Sequence, residues 1–569
     1  MTPPAALHEV KHCAAKSTRA KADWWRGAVI YQIYPRSFQD SNADGIGDLA
    51  GILRRLPYIA SLGVDAIWIS PFFPSPMRDF GYDITDYCDV DSRFGTLADF
   101  DAIVLAAHAQ GIKVLIDLVL SHTASEHPWF VESRSSRDNA KADWYVWARA
   151  NADGTPPNNW LSIFGGSAWQ WDTERCQFYL HNFLTSQPDL NFHQPAVRAA
   201  VLDVARFWLA RGVDGFRLDV VNFYFHDSEL RSNPPQPQGR FAAAVPLSNP
   251  YAYQRHLYDK TRPENLAFLR EFRALLDTVP GTTTIGEIGD DEQYQTLGEY
   301  TREGRLHMAY TFNLMGPDCT PRFIHGVLDE FLRETGDAWA CWALNNHDVV
   351  RVTSRWCVLG EPATLAPLLV AFMGSLRGSV CLYQGEELGL TEAVIDFDDL
   401  QDPYGKEMWP RFKGRDGCRT PMPWEQAASN AAFSEGRPWL ALAPEHGALA
   451  VELQDADAGS VLARYRSFLA FRRSQSALVD GPMTLLAVDD QVVAWTRGDG
   501  DDTVVCAFNL SRQPARYAIP AKDVVPLEDH GFEGSLSIDS DGRATCLLPP
   551  HGAFFGRLRL HDLSMMTSP

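Results

Sequence analysis

Short runs rich in Val, Ile, Leu and aromatic residues recur along the chain as far as Gly385. They are AVIYQIY (28–34), VDAIWIS (64–70), KVLIDLVL (113–120), GFRLDVV (215–221), TTTIGEI (282–288), HMAYTFN (307–313), WACWALNNHD (339–348) and GSVCLYQG (378–385). Amphipathic stretches lie between several of them. LADFDAIVLAAHAQG (97–111) and AVRAAVLDVARFWLARG (196–212) place apolar residues at helical spacing, and each ends on Gly. Near-continuous apolar strands alternating with helices predict a parallel sheet covered by helices. Eight such strands in one region predict a (β/α)8 barrel. A doubly wound sheet would need fewer strands and usually a Gly-rich phosphate loop, which the sequence lacks.

The spacing is uneven. Between the third and fourth strands the gap far exceeds one helix, and it holds Trp144, Trp147, Trp160, Trp169 and Trp171. Residues 121–191 therefore read as a subdomain inserted beside the barrel mouth. The barrel takes 24–120 and 192–477, behind a flexible tail at 1–23. From 478 to 569 the pattern turns to alternating runs such as TVVCAFNL and AFFGRLRL, which predict an antiparallel β-sandwich. There is no internal repeat, and PPQPQG (234–239) reads as a loop.

Composition narrows the function classes. Fifty-one basic and 72 acidic residues give a formal charge of −21, which disfavours nucleic acid and anionic membranes. Neutral or cationic small molecules suit it better. The 10 cysteines are scattered with no CxxC pair, so buried thiols in a reducing, cytoplasmic setting are expected rather than a disulfide framework or a zinc site. No apolar run has membrane-helix length. A monomer or homodimer is expected. Seventeen Trp residues exceed what a core readily buries and suggest aromatic surfaces for ligands.

In a parallel barrel the C-terminal strand ends build the active site. The fourth strand ends Arg217-Leu218-Asp219; alternation puts Arg217 and Asp219 on one face, where the Arg keeps the carboxylate ionised. The fifth ends Gly286-Glu287, the seventh Asn345-Asn346-His347-Asp348, and the third at Asp117 with His122 beyond. A lone Asp is usually a surface or capping residue. Several converging on one barrel mouth, without a metal-ligand cluster, fit glycoside hydrolysis. One carboxylate attacks the anomeric carbon and another protonates the leaving oxygen, about 5–5.5 Å apart if configuration is retained.

GFRLDVVNF, IGEI, NNHD and DLVLSH together resemble the four short motifs of the α-amylase superfamily, glycoside hydrolase family thirteen. The resemblance runs from about Trp24 and includes GRDGCRTPMPW. QPDLN (187–191) is similar to the form of a fifth motif in the α-glucosidase and oligo-1,6-glucosidase branch. The resemblance implies Asp219 as nucleophile, Glu287 as general acid/base and Asp348 as the carboxylate that holds sugar hydroxyls. It implies His122 and His347 on the same hydroxyls, with Arg217 orienting the nucleophile. Asp79 and Tyr82 would line the glucose pocket and Arg415 would close its far end, so that one non-reducing glucose fits. Phe164, Phe183 and Phe312 are candidates for stacking on sugar or for core packing. The first motif ends Ser121-His122 where the family has Asn-His; Ser is a weaker calcium ligand, and no ion is expected there.

Val220 after the nucleophile is often associated with α-1,6 preference in this branch. The long loop 222–261, opening with FYFHD, resembles glucosidases for short α-1,4 substrates. The combined expectation is an exo-acting α-glucosidase for small sugars such as maltose. Oligo-1,6-glucosidase and glucosyl transfer or isomerisation (trehalose synthase or sucrose isomerase type, with sugar or alcohol acceptors) are the alternatives, and a non-catalytic superfamily member is a third class. QDSNADGIGDLAG (39–51) has the alternating oxygens of an EF-hand loop, yet Gly51 stands where the bidentate Glu belongs. Asp40, Asn42, Asp44, the Ile46 carbonyl and Asp48 are candidate ligands; turn-capping is the other reading. The resemblance implies structural Ca2+, or Mg2+ in its place.

Overall fold

The computed structural model describes residues 23–558 apart from 243, 244, 522 and 541. All but the last residue of the expected tail 1–23 thus lies outside the described residues. Eight parallel strands form one sheet: β1 (Val29–Ile33), β2 (Ala66–Ile69), β3 (Lys113–Leu118), β4 (Gly215–Leu218), β5 (Thr283–Ile288), β6 (Met308–Thr311), β7 (Cys341–Trp342) and β8 (Ser379–Tyr383). Their order is β7-β8-β1-β2-β3-β4-β5-β6. A parallel bridge from Ala309 to Ala340 joins the two ends, so the sheet nearly closes into a barrel.

Alternation along each strand separates two packing layers. On β4, Phe216 and Leu218 are fully buried against the outer helices, with Phe216 6.0 Å from Phe272. The inner layer is filled from other strands by Ile30, Trp68, Leu115, Ile285, Met308 and Cys341. Helix Leu97–Ala109 starts with a capping box between Thr96 and Asp99, and Gly111 follows it at φ +76°. β7 is much shorter than the apolar run that predicts it. Beyond Trp342 the chain leaves the sheet, and the Asn345 side chain accepts from Val352 N at 2.6 Å. The departure carries Asn346, His347 and Asp348 over the barrel mouth.

Between β3 and β4 stand helix Pro128–Ser135 and a three-stranded antiparallel sheet (147–148, 169–172, 177–180) over its own core of Trp160, Trp169 and Phe178. Antiparallel bridges His122–Asp189 and Tyr145–Leu190 tie this segment to the end of β3. The last part of the chain forms two antiparallel sheets, of five and three strands, running from Met483 to Leu558. Residues of both sheets, including Val505, Tyr517, Cys546 and Phe554, share one core.

Candidate active site

Arg217 stands at the centre of the barrel mouth with no solvent exposure. Its Nη1 donates to Asp117 Oδ1 at 2.8 Å and to Asp219 Oδ1 at 2.6 Å, and its Nη2 lies 2.5 Å from Glu287 Oε2. Tyr310 from β6 accepts from Nη2 at 2.8 Å and donates to Glu287 Oε1 at 3.0 Å. The guanidinium lies 5.0 Å over the Trp68 ring. Three buried carboxyls around one cation leave an excess of negative charge, and Asp117 and Asp219 respond to it. Burial, opposed by Arg217, pushes Asp117 up to about 6. Asp219 is pushed well above the usual carboxylate range by burial and by Glu287, Asp117 and Asp348, with Arg217 opposing. Two carboxyls that share one guanidinium supply the nucleophile and the acid that acid-assisted nucleophilic displacement requires.

A second arginine closes one end of the cavity. Arg415 donates to Asp79 Oδ1 at 2.7 Å, Asp402 Oδ1 at 2.7 Å and Asp348 Oδ1 at 3.1 Å, and lies 5.0 Å from the Phe164 ring. Asp402 fixes that arginine further by accepting from its backbone N–H at 2.8 Å. Arg419 donates to Asp348 Oδ1 at 2.9 Å and to the His347 carbonyl at 2.7 Å. Burial would push the Asp348 carboxyl up, but the guanidinium groups of Arg415 and Arg419 outweigh it and hold Asp348 well below the usual range. The Gln187 amide donates to Asp79 at 3.1 Å and to the Tyr82 carbonyl at 3.2 Å, which anchors the inserted segment to this end.

Asp79, Tyr82, His122, Phe164, Phe183 and Phe312 all line the same cavity as Asp219, Glu287, Asp348 and Arg415. Arg217 and His347 do not: they stand behind its wall. Burial lowers His347 to about 3, so the ring is neutral. Gln32 donates to its Nδ1 at 2.8 Å, which puts the ring proton on Nε2. That atom lies 3.2 Å from Asp348 Oδ2 without the alignment of a hydrogen bond. The ring is sandwiched between Tyr82 at 5.1 Å and Tyr34 at 5.6 Å. His122, lowered to about 4 by burial, already bonds Ser121 Oγ at 2.8 Å and the Tyr82 carbonyl at 2.9 Å. Phe164 stacks on Tyr404 at 4.8 Å and Phe183 tilts against His122 at 5.2 Å. Lining and packing are therefore one role for these rings.

Val220 has φ +34° and ψ +53°, a left-handed conformation that a β-branched side chain rarely adopts. Strain of this kind, on the order of 1–3 kcal/mol, persists only where the surroundings impose it. Here it aims the Val220 N–H at Glu287 Oε2, 3.0 Å away.

The α-amylase catalytic-domain family matches residues 32–481. The chain belongs to the α-amylase family. A probable α-glucosidase of Rhizobium meliloti (strain 1021) is 58% identical over 541 residues, which are 94% of this chain and 97% of that one. An oligo-1,6-glucosidase of Parageobacillus thermoglucosidasius is 36% identical over 531 residues, 87% of this chain and 92% of the relative. The crystal structure of XgtA, an α-glucosyl transfer enzyme, superposes with a TM-score of 0.91 at 53% identity, covering 94% of this chain and 99% of the other.

Several contributors to this site within the family fold escape sequence reading. Tyr310 follows from alternation on β6, since it shares the inward face with Met308, but a tyrosine in an apolar run reads as core. Asp402 reads locally only as the N-cap of helix Pro403–Met408. Arg419 lies one helical turn after Arg415 and was accessible from that spacing. Lys260 and Tyr251 also line the cavity.

The loop 39–51 spends its oxygens on its own backbone. Asp40 Oδ1 accepts from Asn42 N and Ala43 N at 2.9 Å; its Oδ2 accepts from Gly45 N at 2.8 Å and Ser434 Oγ at 2.5 Å. Asn42 accepts from Asp44 N, and Asp44 from Ile46 N. Asp48 N-caps helix Leu49–Ser61 through Gly51 N at 2.6 Å and accepts from Ser41. A Cβ on Gly51 would stand 1.9 Å from the Gln39 carbonyl, so no Glu fits the twelfth position. The turn-capping reading thus accounts for this conformation by itself. The donor set is nonetheless all oxygen, as a hard cation needs, and Asp44 is exposed with one carboxylate oxygen unengaged.

Proposed function

We propose that this protein is a retaining, exo-acting α-glucosidase that takes glucose from the non-reducing end of short α-glucosides such as maltose. The observation that carries the reading is a cavity with two unlike ends. At one, Arg415 ties Asp79 and Asp348 into a closed wall; at the other, Asp219 and Glu287 face open space while gripped by a single guanidinium. Two carboxylates on one guanidinium are held close together, which favours the short retaining spacing over the wider inverting one.

In this reading the Asp219 carboxylate bonds to the anomeric carbon as the glycosidic bond breaks, and Glu287 gives its proton to the departing oxygen. Glu287 then takes a proton from water, whose oxygen displaces Asp219 and frees glucose. An acceptor hydroxyl in place of water yields a transferred glucoside. Asp348, held ionised, accepts from sugar hydroxyls, with the neutral His347 ring packed behind it. The 53% identity to an α-glucosyl transfer enzyme supports transfer to sugar or alcohol acceptors as a second activity. The intact acids argue against a non-catalytic role.

Product analysis on maltose, isomaltose and sucrose tests this. Glucose should be released faster from maltose than from isomaltose. Faster isomaltose cleavage would make it an oligo-1,6-glucosidase, and dominance of trehalose or an isomerised disaccharide would replace hydrolysis altogether.

The loop of Asp40, Asn42, Asp44, Ile46 and Asp48 is proposed to take Ca2+, or Mg2+ in its place, as a brace distant from the chemistry. Melting should occur several degrees lower in chelator than in added Ca2+, with the initial rate at low temperature little changed; identical melting curves would remove the ion. No helix among the described residues is long and apolar enough to cross a membrane. Nine described cysteines are unpaired, which supports a reducing, cytoplasmic setting.

A further inference from the structure

Lys260 is a buried cation that the reaction outlined above does not use. It is 4% exposed, lines the catalytic cavity and makes no ion pair among the described residues. An ammonium carries three N–H donors. One goes to the Gly289 carbonyl at 2.9 Å. The faces of Phe223 at 5.0 Å and Tyr251 at 5.3 Å pack against it and accept no second conventional hydrogen bond, while the buried Asp259 is near enough to feel its charge without forming an ion pair with it. A buried ammonium left with unused donors is expensive to maintain unless something else occupies them.

The backbone around it is built for that position. Thr261, the next residue, has φ +53°, a second β-branched residue in the left-handed region at this cavity. Asn222 secures the turn: it donates to Thr261 Oγ1 at 2.9 Å and to the Gly289 carbonyl at 3.1 Å, and its own carbonyl accepts from Thr261 N at 2.6 Å. Behind the lysine, His256 stacks on Tyr251 at 3.6 Å and bonds the buried Asp259 at 2.6 Å. Lys260 therefore sits on a well-braced platform, tied to the Gly289 carbonyl two positions after Glu287 in the chain.

We infer that Lys260 reads the aglycone: its free N–H groups donate to hydroxyl oxygens of the leaving sugar, or of a polyhydroxylated acceptor, seated between Phe223, Tyr251 and the catalytic pair. This inference rests on the α-glucosidase reading and names a specificity-determining residue within it. It predicts preference for aglycones bearing several hydroxyls over aglycones that bear none.

Lys260→Met keeps the stem that packs on the rings and removes the donors. The measurement is the ratio of kcat/KM on maltose to that on p-nitrophenyl α-glucoside, whose aglycone has no hydroxyl. A charged hydrogen bond to a neutral partner corresponds to about tenfold to hundredfold. The ratio should fall by that factor, mainly through KM for maltose, and Lys260→Arg should recover part of it. Transfer to glycerol should fall relative to transfer to 1-propanol in the same variant. An equal loss on both glucosides, leaving the ratio at its wild-type value, would make Lys260 only an anchor for Gly289 and overturn the assignment. If the wild-type protein cleaves neither glucoside, the underlying α-glucosidase reading fails instead.

Discussion

Asp219→Asn should lower turnover of maltose by about 10^4-fold or more, and Glu287→Gln by about 10^2- to 10^4-fold, with both variants folded. Each substitution is nearly isosteric and removes one negative charge from a crowded set. Arg217 keeps two carboxylate partners either way, so thermal stability should be unchanged or slightly raised. That direction separates a catalytic from a structural carboxylate. A structural ion-pair partner stabilises the fold and its loss destabilises, whereas a carboxyl pushed upward by burial and like charge, as Asp219 is, is held in place against its own preference. The two variants should also differ by leaving group. Nitrophenolate departs without a proton, so Glu287→Gln should impair the first step on p-nitrophenyl α-glucoside far less than on maltose. Asp219→Asn should impair both alike, because the anomeric carbon then has no nucleophile. Near-normal maltose turnover in either variant would refute the roles given to both residues.

The barrel was legible in the sequence because strands buried on both faces must be apolar throughout, and helices between them must be amphipathic. The short β7 was over-read for the same reason: Ala343 and Leu344 are buried, but in a loop over the mouth rather than in the sheet. The acids at strand ends were legible because the fold puts strand ends together wherever they lie in the chain. The clamp partners were legible only through the family resemblance, which supplied Asp79 and Arg415, or not at all, as with Asp402. Arg415 meets Asp79 across 336 residues of sequence, and Asp402 looks locally like no more than the cap of a short helix. Nothing local marks such residues; only the closed barrel brings them within a hydrogen bond. The loop 39–51 shows the converse. Its alternating oxygens were visible, but Asp40 meets Ser434 and the backbone of residues 42–45, and Gly51 meets the Gln39 carbonyl, for reasons of packing that no spacing rule contains.

Removing the charge at Arg217 should have the other large effect, on stability and activity together. Arg217→Met leaves Asp117, Asp219 and Glu287 buried with no cation among them. Breaking a buried ion pair at one side destabilises by about 3–5 kcal/mol, and here three carboxyls lose the same partner. The pH dependence of that loss has a definite sign. Asp117 stands at about 6 with the guanidinium present, above its unfolded value, and rises further without it. A carboxyl whose folded pKa exceeds its unfolded one opposes folding when the pH is above the unfolded value, and the opposition fades as pH falls and the folded state takes up the proton. The melting deficit of Arg217→Met relative to wild type should therefore be widest near pH 8 and narrow steadily toward pH 5. Arg217→Lys should retain much of the stability, yet lose about 10^2-fold or more in turnover. A single ammonium does not reach Asp219, Glu287 and Tyr310 in the planar geometry that the guanidinium enforces. A deficit that stayed constant across this pH range would mean that the loss comes from packing around Trp68 and Tyr310 rather than from the uncompensated carboxyls.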